Sequence, residues 1–476
     1  MNLSAYTPLA PEAILAVGAL ALFIATLGKR QDAVARNTTR VVLILGAVAS
    51  AITLRAHGSF FYDAYHVDIF SQLMKFIILS AAAAVLYLGR SLRGIDDNVR
   101  PEWYFLYTVS TIGLLFLVSS VEFITLFVAL ELASCTMYLL VPLRSEAGDI
   151  RSHMEAAVKY VMFGIASTGI MLFGVSYLFG LTGSTSLYAI LAHLKEAGPE
   201  PIVIAAVGLV LSGLLFKLAA VPFHFWIADV YQGASNETAA FIAAVPKLGA
   251  LAVLLRVSAF AVSGGGLMVT IIAIIAAASM LVGNLSAIMQ KDIKRLIGFS
   301  GVAHAGYLLV GVATMGQDGF SFAIFYLAGY AVMTIAVFLV IDKVSVSGEN
   351  VSIDDIAGLA KRSPLLAALL AAGLFGLAGI PPFVGFMGKF LVLTAAFQKG
   401  LLWLVILTVL NTAIGIYYYL NIVRIAYASE GDVKPKLKTG PISWGLGLIL
   451  FAAILAFGVY PQPILAVAAE AARLLF

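Results

Sequence analysis

The feature that most constrains this chain is a nearly unbroken succession of apolar stretches, each long enough to cross a lipid bilayer as a helix. Of its 476 residues, 62% are hydrophobic and only 11% are charged, whereas soluble proteins carry about 25% charged residues. The polar segments between the apolar stretches are too short to form a separate folded domain. We therefore predict an all-α polytopic membrane protein, because a helix satisfies its own backbone hydrogen bonds in lipid.

A helix needs about 20 apolar residues to cross ~30 Å of hydrocarbon. By this measure the sequence predicts 14 transmembrane helices. The predicted spans are 9–28, 40–57, 67–89, 102–119, 121–143, 156–181, 201–227, 237–262, 266–289, 294–315, 319–341, 364–397, 401–427 and 441–470.

The distribution of lysine and arginine predicts the orientation, because these residues accumulate in cytoplasmic loops. Loops that follow odd-numbered spans contain 18 of them, whereas loops that follow even-numbered spans contain only Lys195 and Lys399. The 18 are Lys29, Arg30, Arg36, Arg40, Arg90, Arg93, Arg100, Arg144, Arg151, Lys291, Lys294, Arg295, Lys343, Lys361, Arg362, Lys434, Lys436 and Lys438. The loop after span 7 is the exception, since it has no basic residue. The bias predicts that both termini lie on the outer side.

Spans 7 and 12 contain similar segments, LLFKLAAVPFHFWIADV (214–230) and LFGLAGIPPFVGFMGKF (374–390). Each has a run of small residues, then proline, then aromatic residues and a charge. Proline removes a helix donor, and a broken helix inside a membrane is tolerated only against protein or a water-filled cavity. Two matched broken helices are the sequence signature of a transport site near the midplane, although two unrelated proline kinks would give the same pattern.

The offset of five helices between spans 7 and 12 predicts two inverted halves, since an odd offset reverses the direction of the chain. Spans 5 and 10 share a weaker similarity at Tyr138 and Tyr307. We predict two inverted five-helix repeats with broken helices 7 and 12. The predicted parts are 1–100, a three-helix segment; 101–262, the first repeat (spans 4–8); 263–428, the second repeat (spans 9–13); and 429–476, the last loop and span.

The composition excludes several kinds of cofactor site. A single cysteine, Cys135, cannot form an internal disulfide or supply the four thiolates of an iron–sulfur cluster. The six histidines show no paired pattern for haem, and no glycine-rich phosphate loop lies between a strand and a helix. The chain is predicted to carry no electrons and to bind no nucleotide.

Five charged residues lie inside apolar spans: Lys159, Lys217, Lys247, Lys389 and Glu131. A charged side chain at the bilayer centre costs about 2.5–3.5 kcal/mol on insertion scales. Pairing or internal water must offset this cost. Such a series indicates a chain that moves protons or cations across the membrane, whereas the plain alternatives are lysines that reach the membrane surface and a protonated structural acid.

The residues near the prolines are the strongest candidates. Lys217 lies five residues before Pro222, where the loosened backbone can accept its hydrogen bonds, and Lys247 directly follows a proline in span 8. Lys389 lies seven residues after Pro382, on nearly the same face of the helix. His224 could pass protons onward, because histidine titrates near neutrality, or it could be a hydrogen-bonded structural residue.

Glu155 and Lys159 are four residues apart at the start of span 6, a favourable spacing for a helical ion pair. This pair is equally consistent with an interfacial role and with proton relay. Five further polar residues are assigned more weakly to structure or to an inlet: Lys75, Arg256, His304, Asp229 and Glu237.

Three segments together resemble a known family. They are FKLAAVPFHFWIADVYQGA (216–234), KDIKRLIGFSGVAHAGYLLVG (291–311) and GLFGLAGIPPFVGFMGKF (373–390). With the region around Glu131, they resemble the antiporter-like membrane subunits of the bacterial proton-translocating NADH–quinone oxidoreductase, respiratory complex I, over essentially the whole chain. The N-type members are the most similar, because the chain ends at Phe476 after span 14 and has lysine at the span-12 site.

This resemblance implies a role for each candidate residue. Glu131 and Lys217 would form a coupled pair, and Lys247 would be the central relay. Lys389 would be the outlet to the periplasmic side, and Lys159 and His224 would belong to the cytoplasmic half-channel.

The resemblance also implies what surrounds the chain. NADH, FMN, iron–sulfur clusters and quinone would bind to other subunits. The neighbours would be the antiporter-like subunit M, the small membrane subunits J and K, and the lipid of the cell inner membrane, with no nucleic acid.

Three other functions compete with this interpretation. The chain could be the large subunit of a multisubunit Na⁺/H⁺ antiporter or of a membrane-bound hydrogenase, which share spans 7, 8 and 12. It could also be a structural subunit that conducts nothing, although an apolar core would then be less costly than buried lysines. A stand-alone solute transporter fits least, because no polar substrate pocket is visible in the sequence beyond the charged residues.

Overall fold

The computed structural model describes residues 3–27, 32–88, 92–145, 150–197, 200–263, 265–428, 435–437 and 439–475. Within these ranges the chain is a bundle of helices with one small hairpin. Five residues used for the orientation, Lys29, Arg30, Arg90, Lys434 and Lys438, lie outside the described residues, as do the predicted ends of spans 1 and 3 at 28 and 89.

The helices of the first half, in chain order, are α1 Ala10–Leu27, α2 Asp32–Ile52, α3 Ile69–Leu86, α4 Arg100–Ser119, α5 Phe123–Leu140, α6 Ile150–Thr182, α7 Leu187–Ala197, α8 Pro201–Leu218, α9 Ile227–Gly233, α10 Asn236–Ala244 and α11 Pro246–Ser263. The second half contains α12 Gly265–Ile288, α13 Ile293–Ala313, α14 Gln317–Val344, α15 Leu359–Arg362, α16 Pro364–Ala378, α17 Val384–Gln398, α18 Leu402–Ala428, α19 Pro441–Val459 and α20 Gln462–Arg473. Short 3₁₀ turns cover Leu3–Leu9, Asp97–Val99, Val141–Leu143 and Ile353–Ile356.

The prediction of a polytopic helical membrane protein is confirmed. Twelve helices in the described residues are long and apolar enough to cross a membrane. The other two predicted spans correspond to α2, which begins with several charged residues, and to the pair of shorter apolar helices α16 and α17. A two-stranded antiparallel hairpin, β1 Gly58–Phe60 and β2 Tyr65–Val67, also lies between α2 and α3.

Several helix boundaries differ from the sequence prediction, among them span 6, predicted at 156–181 but observed as Ile150–Thr182. Span 2, predicted at 40–57, is the helix Asp32–Ile52, because its polar first turns are held by an Arg36–Asp32 ion pair and by an Arg40 hydrogen bond to the Leu86 carbonyl. Span 14, predicted at 441–470, is divided into α19 and α20 at Pro461. Span 8 is divided into α10 and α11 ahead of Pro246, as the loss of a backbone donor at proline requires.

The most deeply buried helices lie in the middle of the bundle. In α10–α11, α13 and α14, 89–100% of the most apolar 18-residue stretch is buried, against 33% in α6, α18 and α19. α14 packs against α10, α13, α16, α17, α19 and α20. α13 packs against α12, α9, α14 and α17. His304 of span 10 therefore lies on one of the two central helices, and the helices that carry Lys247 and Lys389 pack against this pair.

The predicted breaks in spans 7 and 12 are both present. The first separates α8, which ends at Leu218, from α9, which begins at Ile227. The second separates α16, which ends at Ala378, from α17, which begins at Val384. The inverted relation of the two halves, and the division of the chain into four parts, stay predictions.

Candidate functional site

The first break holds Lys217 in the protein interior. Directly after α8, Ala219 has left-handed backbone angles (φ 57°, ψ 38°). The Ala220 amide donates to the Leu215 carbonyl at 2.9 Å, the Schellman arrangement that closes a helix end. The Lys217 side chain is 8% exposed, and its Nζ donates a hydrogen bond to the Tyr138 hydroxyl of α5 at 3.1 Å.

Glu131 lies on the same face of α5 as Tyr138, seven residues or two turns away. Its Oε1 accepts a hydrogen bond from the Thr168 hydroxyl of α6 at 3.0 Å, and its Oε2 accepts one from the Cys135 thiol at 3.5 Å. Among the described ion pairs, none joins Glu131 to Lys217. Glu131 and Tyr138 share one face of α5, and Tyr138 is the residue that contacts Lys217 directly.

Lys159 belongs to a different part of the molecule. Its Nζ contacts Glu155 at 2.6 Å, which confirms the predicted helical pair, and Asp229 at 2.7 Å. The other oxygen of Asp229 binds Arg295 of α13 at 2.6 Å. This network joins α6, α9 and α13.

The pKa of Asp229 is lowered from its ordinary value by this network. Partial burial opposes the charged carboxylate, but the hydrogen bonds from Lys159 and Arg295 outweigh that effect. Asp229 is therefore an ionised carboxylate shared by two cations, a stronger role than its sequence suggested.

His224 lies in the linker between α8 and α9. Its side chain is 7% exposed, and its ring lies 4.4 Å from that of Phe225. Within the described part of the chain, its Nδ1 has no hydrogen-bond partner. The structure does not bring this histidine into hydrogen-bond contact with either Lys159 or Lys217, among the contacts of the described residues.

Lys247 lies at the start of α11 and is almost completely buried, at 2% exposure. Its Nζ donates to the Tyr330 hydroxyl at 3.2 Å and to the Gly301 carbonyl at 3.3 Å. The same ammonium lies 4.9 Å from the centre of the Tyr330 ring, within the range of a cation–π interaction. Neutral polar groups thus surround this lysine, with no carboxylate ion-paired to it in the described structure.

A small internal cavity connects Lys247 to His304. Its volume is about 10 Å³, and its lining includes both side chains together with Leu218, Tyr326 and Tyr330. A cavity of roughly 10–15 Å³ is the minimum for one water molecule. Leu218 is the last residue of α8, so the end of the first half-helix and Lys247 border the same cavity.

His304 occupies the centre of a polar cluster that the sequence did not identify. Its Nδ1 lies 2.6 Å from the Tyr326 hydroxyl and its Nε2 lies 3.2 Å from the Tyr419 hydroxyl. Its ring also packs against those of Tyr307 and Tyr330. The sequence signal for this cluster was a histidine in the middle of an apolar span. Like the buried lysines, an ionisable side chain in this position is costly to place in lipid.

Lys389 lies on α17 and links the two halves of the second broken helix, α16 and α17. Its Nζ donates to the carbonyls of Leu377 and Ala378, at 3.0 and 3.1 Å, which are at the end of α16 where carbonyls lack helical donors. The ammonium also lies 4.3 Å from the centre of the Tyr307 ring. Tyr307 therefore contacts both Lys389 and His304.

The structure thus brings three of the candidate basic residues, Lys247, His304 and Lys389, into one buried series through shared tyrosines. Lys217 contacts Tyr138 instead, and its chain neighbour Leu218 lines the cavity beside Lys247. Such groups can exchange protons through hydroxyls and single water molecules. Lys159 and His224 lie outside this series. In the described residues, no group of three or more histidine, cysteine or acidic side chains is arranged to hold a metal ion.

Comparisons with known proteins agree on the family of this fold. The sequence model of the family described as NADH:quinone oxidoreductase/Mrp antiporter, TM, matches residues 120–415. A relative named NADH-quinone oxidoreductase subunit N 2, from Opitutus terrae, is 48% identical over 96% of each chain. A second, with the same name from Solidesulfovibrio magneticus, is 43% identical over 98% of each chain.

Solved structures show the same architecture. A chain of respiratory complex I from Thermus thermophilus with bound aureothin is 31% identical, with a TM-score of 0.84 over 96% of this chain and 99% of that chain. A chain of the Mrp complex from Dietzia sp. DQ12-45-1b has a TM-score of 0.89 over 100% of this chain and 98% of that one, at 22% identity. The latter similarity concerns the fold alone.

Proposed function

Because the chain belongs to the family of NADH-quinone oxidoreductase subunit N, we propose that it is a proton-translocating subunit in the membrane arm of that enzyme complex. The observation that carries this proposal is the burial of four basic residues in the bundle, Lys217, Lys247, His304 and Lys389. An apolar bundle has no need of these residues, since each is costly in a membrane.

The proposed role is that of a translocase subunit without redox groups. NADH, FMN, iron–sulfur clusters and quinone would belong to other subunits, and this chain would convert their reaction into proton movement. Lysine suits the task, because its pKa shifts readily on burial. The Tyr330 hydroxyl contacts Lys247, the Tyr326 hydroxyl contacts His304, and the Tyr307 ring contacts both His304 and Lys389.

Glu131 is proposed as the group that couples the series to neighbouring subunits. It is half-buried on α5, beside the exposed Cys135. We propose that a neighbouring subunit contacts its exposed part. A change in its distance from Lys217 would change the field at that lysine, since charges interact strongly at low dielectric constant. We propose subunits M, J and K as the neighbours in the cell inner membrane, with both termini on the periplasmic side.

The direct test is the substitution Lys247→Ala in the intact complex. Assembly on a native gel is expected to survive, because the lysine is bound by neutral groups rather than by an ion pair. Proton uptake by inverted membrane vesicles, driven by NADH oxidation, is expected to fall severely, with quinone reduction slowed in parallel.

Lys399→Ala is the matched control, since Lys399 is an exposed lysine at the end of α17. It should leave uptake and reduction unchanged. Normal pumping by an assembled Lys247→Ala complex would overturn the proposal and favour a bracing role for this subunit.

A further inference from the structure

One face of α14 carries a row of side chains that leads away from Lys247. Tyr330, Thr334, Phe338 and Asp342 are spaced by four residues, so they lie above one another on the helix. Tyr330 accepts the hydrogen bond from Lys247. Asp342 lies near the end of α14, about 18 Å further along the helix axis at 1.5 Å per residue.

The opposite side of this row is formed by α9 and α10. The Tyr231 ring contacts the Phe338 ring edge-on at 6.3 Å, and the Tyr231 hydroxyl interacts electrostatically with that of Tyr330. Glu237, in the first turn of α10, interacts electrostatically with Asp342. The packing of α10 on α14 and the contact of Tyr231 with Phe338 place α9 and α10 against this face of α14.

Buried polar atoms without partners are concentrated between these sides. The Tyr231 hydroxyl, the Thr334 hydroxyl, the Asn236 side-chain oxygen and both carboxylate oxygens of Glu237 have no hydrogen-bond partner within the described part of the chain. All four residues are at most 2% exposed. Each such atom destabilises the fold when it is unsatisfied, and internal water commonly binds to atoms of this kind.

The charges around Glu237 single it out from its neighbours. Asp342 is ion-paired to Lys343 at 2.7 Å, and Lys294 donates to the Ala234 carbonyl at 2.8 Å. Arg144 is also bound to backbone carbonyls. The backbone amides of Arg93 and Glu237 face the carboxylate, but no described cation forms an ion pair with it. Glu237 is thus a buried carboxyl that can gain and lose a proton without breaking an ion pair.

We propose that Glu237 is the proton-accepting group of an inlet that runs along this face of α14 to Lys247. A proton from the aqueous phase binds to the carboxylate oxygen and then passes over water molecules and the hydroxyls of Tyr231, Thr334 and Tyr330. Each hydroxyl accepts one proton and releases another, and the neutral amine of Lys247 becomes an ammonium. Only O–H and N–H bonds form and break. This inference rests on the proposed function, because it assigns the supply of protons to the same lysine.

Two substitutions test the inlet by removing only a hydroxyl, Tyr231→Phe and Thr334→Val. If the two hydroxyls carried no protons, their removal would leave pumping unchanged, since neither forms a hydrogen bond in the described part of the chain. The inlet predicts that proton uptake in inverted vesicles falls several-fold while native-gel assembly and thermal stability hold or improve. Thr270→Val is the matched control, because Thr270 is exposed on α12.

Substitution of the carboxyl itself completes the test. Glu237→Gln keeps the shape but cannot carry the proton, so uptake is expected to fall several-fold, whereas Glu237→Asp should retain most of it. Glu200→Gln, at an exposed carboxylate, should have no effect. If all three inlet variants pump normally while Lys247→Ala does not, the inlet is wrong and the proposed function stands. If Lys247→Ala also pumps normally, the proposed function fails first.

Discussion

The two broken helices are closed in the same way but hold their lysines differently. In each, a left-handed residue ends the first half-helix, Ala219 with φ 57° and Gly379 with φ 86°. In each, an amide five residues on donates to a carbonyl of the last turn, Ala220 to Leu215 and Ile380 to Phe375. Each linker also contains one cis peptide bond before proline.

The lysines show where the two breaks diverge. Lys389 lies on the second half-helix and donates to the carbonyls that end the first half. Lys217 lies on the first half-helix and donates to Tyr138 of α5. The second cation is therefore part of its own break, whereas the first depends on a neighbouring helix that also carries Glu131. The second break is thus fixed by contacts within the broken helix, whereas the lysine of the first break is held by another helix.

The two breaks should differ most when Lys217 and Lys389 are each replaced by methionine, which is unbranched and neutral. Lys389→Met should lower both pumping and stability, because two buried carbonyls lose a charged donor, a loss of about 1.5–3 kcal/mol per charged hydrogen bond. Lys217→Met should lower pumping with little change in stability. Native-gel assembly after graded heating, combined with proton uptake, separates the two effects. Equal thermal losses for both variants would contradict the comparison.

The next contrast concerns the left-handed residues that end α8 and α16. Gly379→Ala should destabilise the complex by about 1–2 kcal/mol, the cost of a side chain at this conformation. The added Cβ would also lie 2.9 Å from Lys389 Cδ and displace the lysine.

Ala219→Gly is the matched change in the opposite direction. It should preserve stability or raise it by up to about 1 kcal/mol, because glycine relieves the strain at an entropic cost. Thermal inactivation of the purified complexes measures both variants. A stabilising Gly379→Ala would show that the second break is not held by its backbone conformation.

The smallest effect should come from the first turn of α9, the second half of the first broken helix. α17 is fastened to its own first half by Lys389, but α9 is fastened by Asp229 to α6 and α13. The pKa of Asp229 is lower in the folded protein, because the contacts with Lys159 and Arg295 outweigh its burial. The stability from this network is therefore complete above the ordinary aspartate pKa and is lost as the pH falls through the lowered value.

Asp229→Asn should remove this acid sensitivity at a cost of less than about 1 kcal/mol, the usual worth of a partly exposed ion pair. Thermal stability measured over a series of acidic pH values tests it, with Glu155→Gln as the control for the simple helical pair. An unchanged pH dependence in Asp229→Asn would show that the network does not fasten α9.

Much of the architecture could be predicted from the sequence because it depends on local features. The spans follow from apolar length, and the breaks follow from Pro222 and Pro382. Boundaries failed where polar turns extend a helix, as at Asp32, or where a proline divides an apolar run, as at Pro461. The candidate lysines were recognisable because a charge in an apolar span has a large cost wherever its partner lies.

The amino-acid sequence was sufficient to predict that this protein crosses the membrane many times, that spans 7 and 12 break, and that Lys217, Lys247 and Lys389 are buried. Each of these depends on residues adjacent in the chain and on the energy of placing them in lipid. The contacts of each charge, and the partial exposure of Lys159, depend on the tertiary structure. It placed His304 between Lys247 and Lys389, gave Asp229 two cations, and left Glu237 beside an already paired Asp342. Those contacts join helices far apart in the chain, and no local pattern encodes which faces will meet.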